Sequence, residues 1–320
     1  MINRRIVRIK AFQVLYSRVS TDNFAILPAQ EDLKTSVEKT MELTAMMLLL
    51  PHTLTRFANE KLEAIGKMFH PSEQERIKHL KFRDNFVSEF VLNDKSFIEF
   101  CSKKGINWNN FNDQLRKLYN NIISSEGFEE YIKIENPTQN DTINLFRYIY
   151  SNLIEDFTLL EDGLEDASIW WADDLCYVVN FINDNLSTYI KNGAIPIENL
   201  TIENKGVENN LYFAKQLTST VLSNYDEYVE LVQEQSKNWD QARMVFSDIL
   251  LIVMGIAEAI KFSDIALRVT INEYIEIAKH FSTPKSTFFV NGILNNILRK
   301  LQDENRFVKT PKASIGALRD

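Results

Sequence analysis

From Val269 to Leu301 the chain reads VTINEYIEIAKHFSTPKSTFFVNGILNNILRKL. Apolar residues recur three and four positions apart on both sides of a polar turn at 282–285, the period of an α-helix that buries one face. Two such segments joined by a turn strongly restrict the fold, because an apolar helical stripe must be covered by another element. Similar spacing runs through most of the 320 residues, and no sustained alternation of period two interrupts it. Glycine (9) and proline (7) are too scarce for a chain built on many tight turns. The expected fold class is all-α.

The pattern divides the chain unevenly. Residues 2–20 read as a helix carrying Ile6, Ile9, Phe12, Tyr16 and Val19 at helical spacing. Residues 31–69 carry a long helical pattern with a break predicted near Pro51, and Pro71 opens the next segment. Shorter helices are expected between 93 and 160, and a longer one over Ile169–Ile190. The stretch Gly193–Gly206, with Pro196 inside it, reads as a linker. Beyond it, compact helical segments fill 209–301. They include central ones starting at Asp240 or Arg243 and a last one with Thr283 as N-cap and Pro284 in its first turn. Residues 302–320 are basic and poor in large apolar side chains, and are expected to form a flexible tail.

Charge and motif content exclude several classes. A net charge of −8 argues against a protein that coats nucleic acid with its whole surface, but allows a local basic patch. Cys101 and Cys176 fit no metal spacing and are expected to be reduced thiols. The most apolar window, Ile249–Ile260, is too short to span a bilayer and reads as a core helix. Four basic residues fall in the first ten without a continuous apolar run behind them, which argues against a secretory signal. His52, His70, His79 and His280 are scattered, and no phosphate-loop, dinucleotide or nucleophile-elbow motif occurs. No catalysis, metal or cofactor is expected.

Val269, Ile271, Asn272, Glu273, Ile275, Glu276, Ile277, Ala278, Lys279 and Phe281, followed by Ser286, Phe289, Val290, Asn291, Gly292, Ile293 and Leu294, resemble the C-terminal signature of the NusB family of transcription antitermination factors. Ala11, Gln13, Leu15 and Tyr16, preceded by Arg4, Arg5 and Arg8, resemble the family's first helix. The resemblance covers about 1–20 and 207–301. It leaves 21–206 as a large helical insertion on which the family is silent. Lys285 stands where the family often has an acidic residue, Phe288 where it often has lysine, and Ser282 where it tends to have glycine. The resemblance implies a cytoplasmic, non-enzymatic helical bundle. Such a protein would bind boxA-type RNA together with the ribosomal protein NusE and join the elongating RNA polymerase complex. Two alternatives remain open: a helical interaction scaffold without RNA binding, and a part of an RNA methyltransferase system. The second is disfavoured by the missing glycine-rich loop and strand pattern.

The resemblance also selects site residues. Arg4, Arg5, Arg8 and Lys10 form a basic arm expected to project past the core and contact RNA, because guanidinium forks suit phosphate oxygens and stack on bases. A solvated terminus is the bland alternative. Gln13, Tyr16, Lys285, Phe289 and Asn291 complete the expected RNA surface, with Phe289 stacking on a base or packing in the core, and Gly292 favouring close packing. Tyr16 and Glu273 are candidate partner contacts. Glu276 and Lys279 are spaced for an i,i+3 pair. The assignment requires 4–16 and 285–291 to meet in space.

Overall fold

The computed structural model describes residues 2–236 and 245–314. All regular structure among the described residues is helical. In chain order the helices are α1 (Arg4–Ser20), α2 (Ile26–Gly66), α3 (Glu73–Arg83), α4 (Phe86–Asn93), α5 (Lys95–Lys104), α6 (Asn112–Ile123), α7 (Glu126–Lys133) and α8 (Gln139–Tyr148). They continue with α9 (Thr158–Ala167), α10 (Asp174–Asn192), α11 (Lys205–Gln235), α12 (Phe246–Lys261), α13 (Leu267–Phe281), α14 (Ser286–Asp303) and α15 (Pro311–Ser314). The chain forms two compact units, one of residues 38–204 and one of residues 2–37 with 205–320.

In the unit of residues 38–204, α2 does not break at Pro51 as its sequence suggests; it runs through it. Proline has no N–H, so the carbonyl four residues back loses its helical partner. That carbonyl, on Met47, instead accepts the Tyr150 hydroxyl at 2.8 Å. The adjacent Met46 carbonyl accepts Trp108 Nε1 at 2.7 Å, and the Pro51 carbonyl accepts Ser88 Oγ at 2.8 Å. Tyr150 sits in a widened helical turn, Ile149–Ile154, that continues α8. Buried donors from distant segments thus replace what the proline removes, and burial pushes the Tyr150 phenol far above its usual titration range.

The other unit is built around α12. Every residue from Leu250 to Ala259 is buried, as the sequence pattern predicts for a core helix. Helices α11, α13 and α14 surround it, and α1 lies across α11 and α12. A side chain cannot be added cheaply at Gly255, since a Cβ there would lie 2.7 and 2.9 Å from the Leu294 methyl carbons. Kinked at Asn224, α11 is otherwise continuous. Central-helix starts at 240 and 243 fall outside the described residues; the described helix begins at Phe246.

Three local expectations need correction. The first residues are not a projecting arm. Asn3 caps α1 by accepting Ile6 N at 3.0 Å, Ile2, Ile6 and Val7 are buried, and Asn210 Nδ2 donates to the Ile2 carbonyl at 2.8 Å. Nor is the described part of the C-terminal tail loose. Thr310 N donates to the Ser263 carbonyl, and Lys309 Nζ donates to the carbonyls of Ala259 and Phe262 at 2.8 and 2.7 Å, acceptors at the end of α12. Finally, α14 starts at Ser286 rather than Pro284, because Ser286 Oγ is drawn to buried Asp248 Oδ2 at 2.8 Å while Thr283 and Ser282 bond to the same hydroxyl.

Candidate nucleic-acid interface

The three arginines at the start of α1 have three different environments. Arg8 is only 3% exposed and lies in the core. Its Nε and Nη2 donate to Glu258 at 2.7 and 2.9 Å, a bidentate pair. Glu258 is fully buried on α12 and also accepts Thr270 Oγ1 at 2.9 Å and the Tyr274 hydroxyl at 3.1 Å, which completes its hydrogen bonding. Burial pulls the Arg8 guanidinium down, but its bonds to and attraction by Glu258 outweigh this and raise it. Arg8 Nη1 also reaches Glu273 at 3.4 Å.

Arg5 lies at the edge of this network. Its side chain is 51% exposed and donates to both Glu273 oxygens, at 2.6 and 3.1 Å. The hydrogen bond from Arg5, with the charges of both arginines, holds the Glu273 carboxyl below its ordinary value against the opposing effect of burial. Glu273, a candidate partner contact in sequence, is thus the bridge between a buried and an exposed arginine. Arg4 is exposed and stacks over the Phe213 ring at 4.3 Å, with no ion pair among the described residues. Arg4, Arg5 and Arg8 line an open cavity of about 760 Å³ together with Asn3, Asp264–Ala266, Val269, Glu273, Lys312 and Ala313.

The remaining candidates spread along α1 and onto α14. Lys10 is buried, and Gln13 is half-buried on the same helix. Tyr16, 44% exposed, packs edge-on to Phe246 at 5.0 Å, and Phe12 lies 5.3 Å from Phe281. These contacts bring the end of α1 to the start of α12 and the end of α13. There Ser282, Asp248 and Ser286 tie down the start of α14. Lys285 and Asn291 are exposed there. Tyr16 and the start of α14 therefore share one end of the bundle, whereas Arg4 and Arg5 sit about 18 Å away along α1, at a rise of about 1.5 Å per residue. Phe289 is in the core, continuous with Val290, Ile293, Leu294, Ile297 and Leu298, and Phe288 is the exposed ring at 76%. On α13 the Glu276–Lys279 pair forms at 2.5 Å on the surface.

Two residues essential to this geometry, Glu258 and Asp248, are absent from the sequence-derived site. A single charge inside the apolar window Ile249–Ile260 was the available signal for Glu258, since a buried carboxylate demands a cationic partner.

The NusB family profile matches residues 172–299, a span that contains α10 to α13 and most of α14, so it begins inside the stretch 21–206 read as an insertion, and it leaves α1 outside. The transcription antitermination protein NusB of Geobacter sulfurreducens is 36% identical over 118 residues, which cover 36% of this chain and 86% of that protein. The chain belongs to the NusB family. The NusB protein of Salinibacter ruber is 38% identical over 104 residues, 32% of this chain and 65% of that protein. That of Geotalea daltonii is 41% identical over 92 residues, 29% of this chain and 63% of that protein. The aligned stretches thus span just under two thirds of these two relatives. No solved structure matches the chain. Among the described residues no helix is long and apolar enough to cross a membrane, and no group of metal-ligating side chains gathers.

Proposed function

We propose that this chain is an antitermination factor that acts by binding, without making or breaking a bond. It binds boxA-type RNA together with a NusE-type ribosomal protein and joins the elongating RNA polymerase complex. The observation that carries the reading is the exposed pair Arg4 and Arg5, on a unit containing most of the region related to proteins named for antitermination. Arg4 has no ion-pair partner among the described residues and Arg5 is half-exposed, so both can meet phosphate oxygens. Arg8, held by Glu258, supports the surface from inside and has no part in direct contact. Lys10 is likewise buried and Phe289 is in the core, so neither belongs to the contacting set. Lys285, Asn291 and Tyr16 extend the RNA path to the other end of the bundle, with Phe288 as the ring available for stacking.

The test is binding of fluorescent boxA-type RNA and a scrambled control by the full chain, with and without the ribosomal protein. Preference for the boxA-type sequence that grows when the partner is added supports the reading. Equal, weak binding of both RNAs in both conditions contradicts it. The exposure of Phe288 also favours a scaffold that contacts protein rather than RNA; in that case the ribosomal protein binds the chain and no RNA does.

A further inference from the structure

We propose that the C-terminal tail is part of the RNA site, with Lys312 supplying a phosphate contact opposite the N-terminal arginines. This rests on the RNA reading above. The cavity beside Arg4 and Arg5 is walled by both ends of the chain: Asn3 and the arginines from α1, Lys312 and Ala313 from α15, and Asp264–Ala266 from the turn before α13. Four of its lining side chains are cations and two, Asp264 and Glu273, are carboxylates. Arg8 is committed to Glu258, and Glu273 is committed to Arg5 and Arg8. Arg4 and Lys312 have no carboxylate partner among the described residues, and both are exposed. With Asp264 as the remaining lining carboxylate, the cavity keeps an excess of cations that favours a bound anion.

The tail is held in place to present Lys312. Lys309 is fastened to the carbonyls of Ala259 and Phe262, Thr310 N to the Ser263 carbonyl, Arg306 pairs with Glu227, and Ala313 is buried. None of these bonds uses the Lys312 side chain. The cavity also has apolar lining from Ile265, Ala266 and Val269, the last of them 48% exposed. A phosphodiester of single-stranded RNA fits this pattern: phosphate toward Arg4 and Lys312, sugar or base edge over Val269. Asp264 repels the strand on its side of the cavity and accepts from a ribose hydroxyl or base amino group.

The experiment measures anisotropy of a short fluorescent boxA-type RNA on the full chain, with the ribosomal protein present, across a salt series. The variants are Lys312→Glu, Lys312→Ala, Arg4→Ala, the double Arg4→Ala/Lys312→Ala, and Lys103→Glu, an exposed lysine of the other unit, as a charge control. Circular dichroism verifies folding, which Lys312 does not support through a side-chain hydrogen bond among the described residues. The expected result is a loss of about threefold to tenfold for Lys312→Ala, with the salt slope lower by about 0.7, and a larger loss for Lys312→Glu. The Arg4 and Lys312 losses are expected to be non-additive, because they hold one anion. Lys103→Glu leaves affinity within about twofold. If Arg4→Ala weakens binding and both Lys312 variants bind as the unaltered chain does, the tail inference is overturned and the RNA reading stands. If the unaltered chain binds no RNA even at low salt, both fall.

Discussion

Replacing Arg8 by methionine tests the account of the bundle core. The side chain is 3% exposed and Glu258 is fully buried, so the pair is largely removed from water. Glu258 accepts four hydrogen bonds, two from Arg8 and one each from Thr270 and Tyr274. Arg8→Met keeps an unbranched apolar stem but removes the guanidinium and leaves a buried carboxylate with two neutral donors. Breaking one side of such a pair costs about 3–5 kcal/mol, whether the charge stays unpaired or the group takes up a proton at about 1.4 kcal/mol per unit of pKa. Replacing both residues, as Arg8→Met/Glu258→Met, removes the uncompensated charge and is expected to regain most of the loss. The thermodynamic cycle then shows a coupling of several kcal/mol. The chain has two compact units, so a global transition does not report on one of them alone. Hydrogen exchange of backbone amides in 250–260 reports on the mutated unit alone. A single-variant cost under about 1 kcal/mol, or a double variant that simply adds the two losses, would refute the reasoning.

Three further outcomes follow from particular contacts. Tyr150→Phe leaves the Met47 carbonyl, freed by Pro51, without its donor; we expect a loss of about 1–3 kcal/mol in the unit of residues 38–204, read by urea denaturation. Gly255→Ala should destabilise by about 1–3 kcal/mol because its methyl meets Leu294, and in a Leu294→Val background the same change should become neutral or favourable; equal effects in both backgrounds would discount the contact. Glu273 is held below its ordinary pKa of 4.5, so its contribution is complete above that value and lost as pH falls through the lower folded value. The unaltered chain should therefore lose stability over that acid window more steeply than Glu273→Gln, and parallel pH profiles would count against the Arg5–Glu273–Arg8 bridge.

Regular spacing made the helices legible, and α12 in particular, because a run of apolar residues at Leu250–Ala259 has no place except a core. The stripe Phe289, Val290, Ile293, Leu294 and Ile297 also contained the answer to which adjacent ring is buried; Phe288 lies off that stripe and is exposed. Other features depend on residues distant in sequence. Whether Arg8 faces solvent or core is decided by Glu258, 250 positions away, and no local period contains that pairing. The passage of α2 through Pro51 depends on Tyr150 and Trp108, whose donors arrive from other helices. The end of the chain, basic and sparse in large apolar groups, reads as loose. Its described part is fixed because Lys309 reaches carbonyls at the end of α12, and the partial burial of that position brings its ammonium down to about 8.

The central claim is that the exposed arginines of α1 bind RNA phosphate while Arg8 serves the core. Its most direct test is the slope of log affinity against log salt for boxA-type RNA, measured on the unaltered chain and on Arg4→Ala/Arg5→Ala. Each phosphate contact to a single strand contributes about 0.7 to that slope. Two lost contacts predict a slope shallower by about 1.4, with the folded state intact by hydrogen exchange in 250–260. An unchanged slope with unchanged affinity would contradict the account.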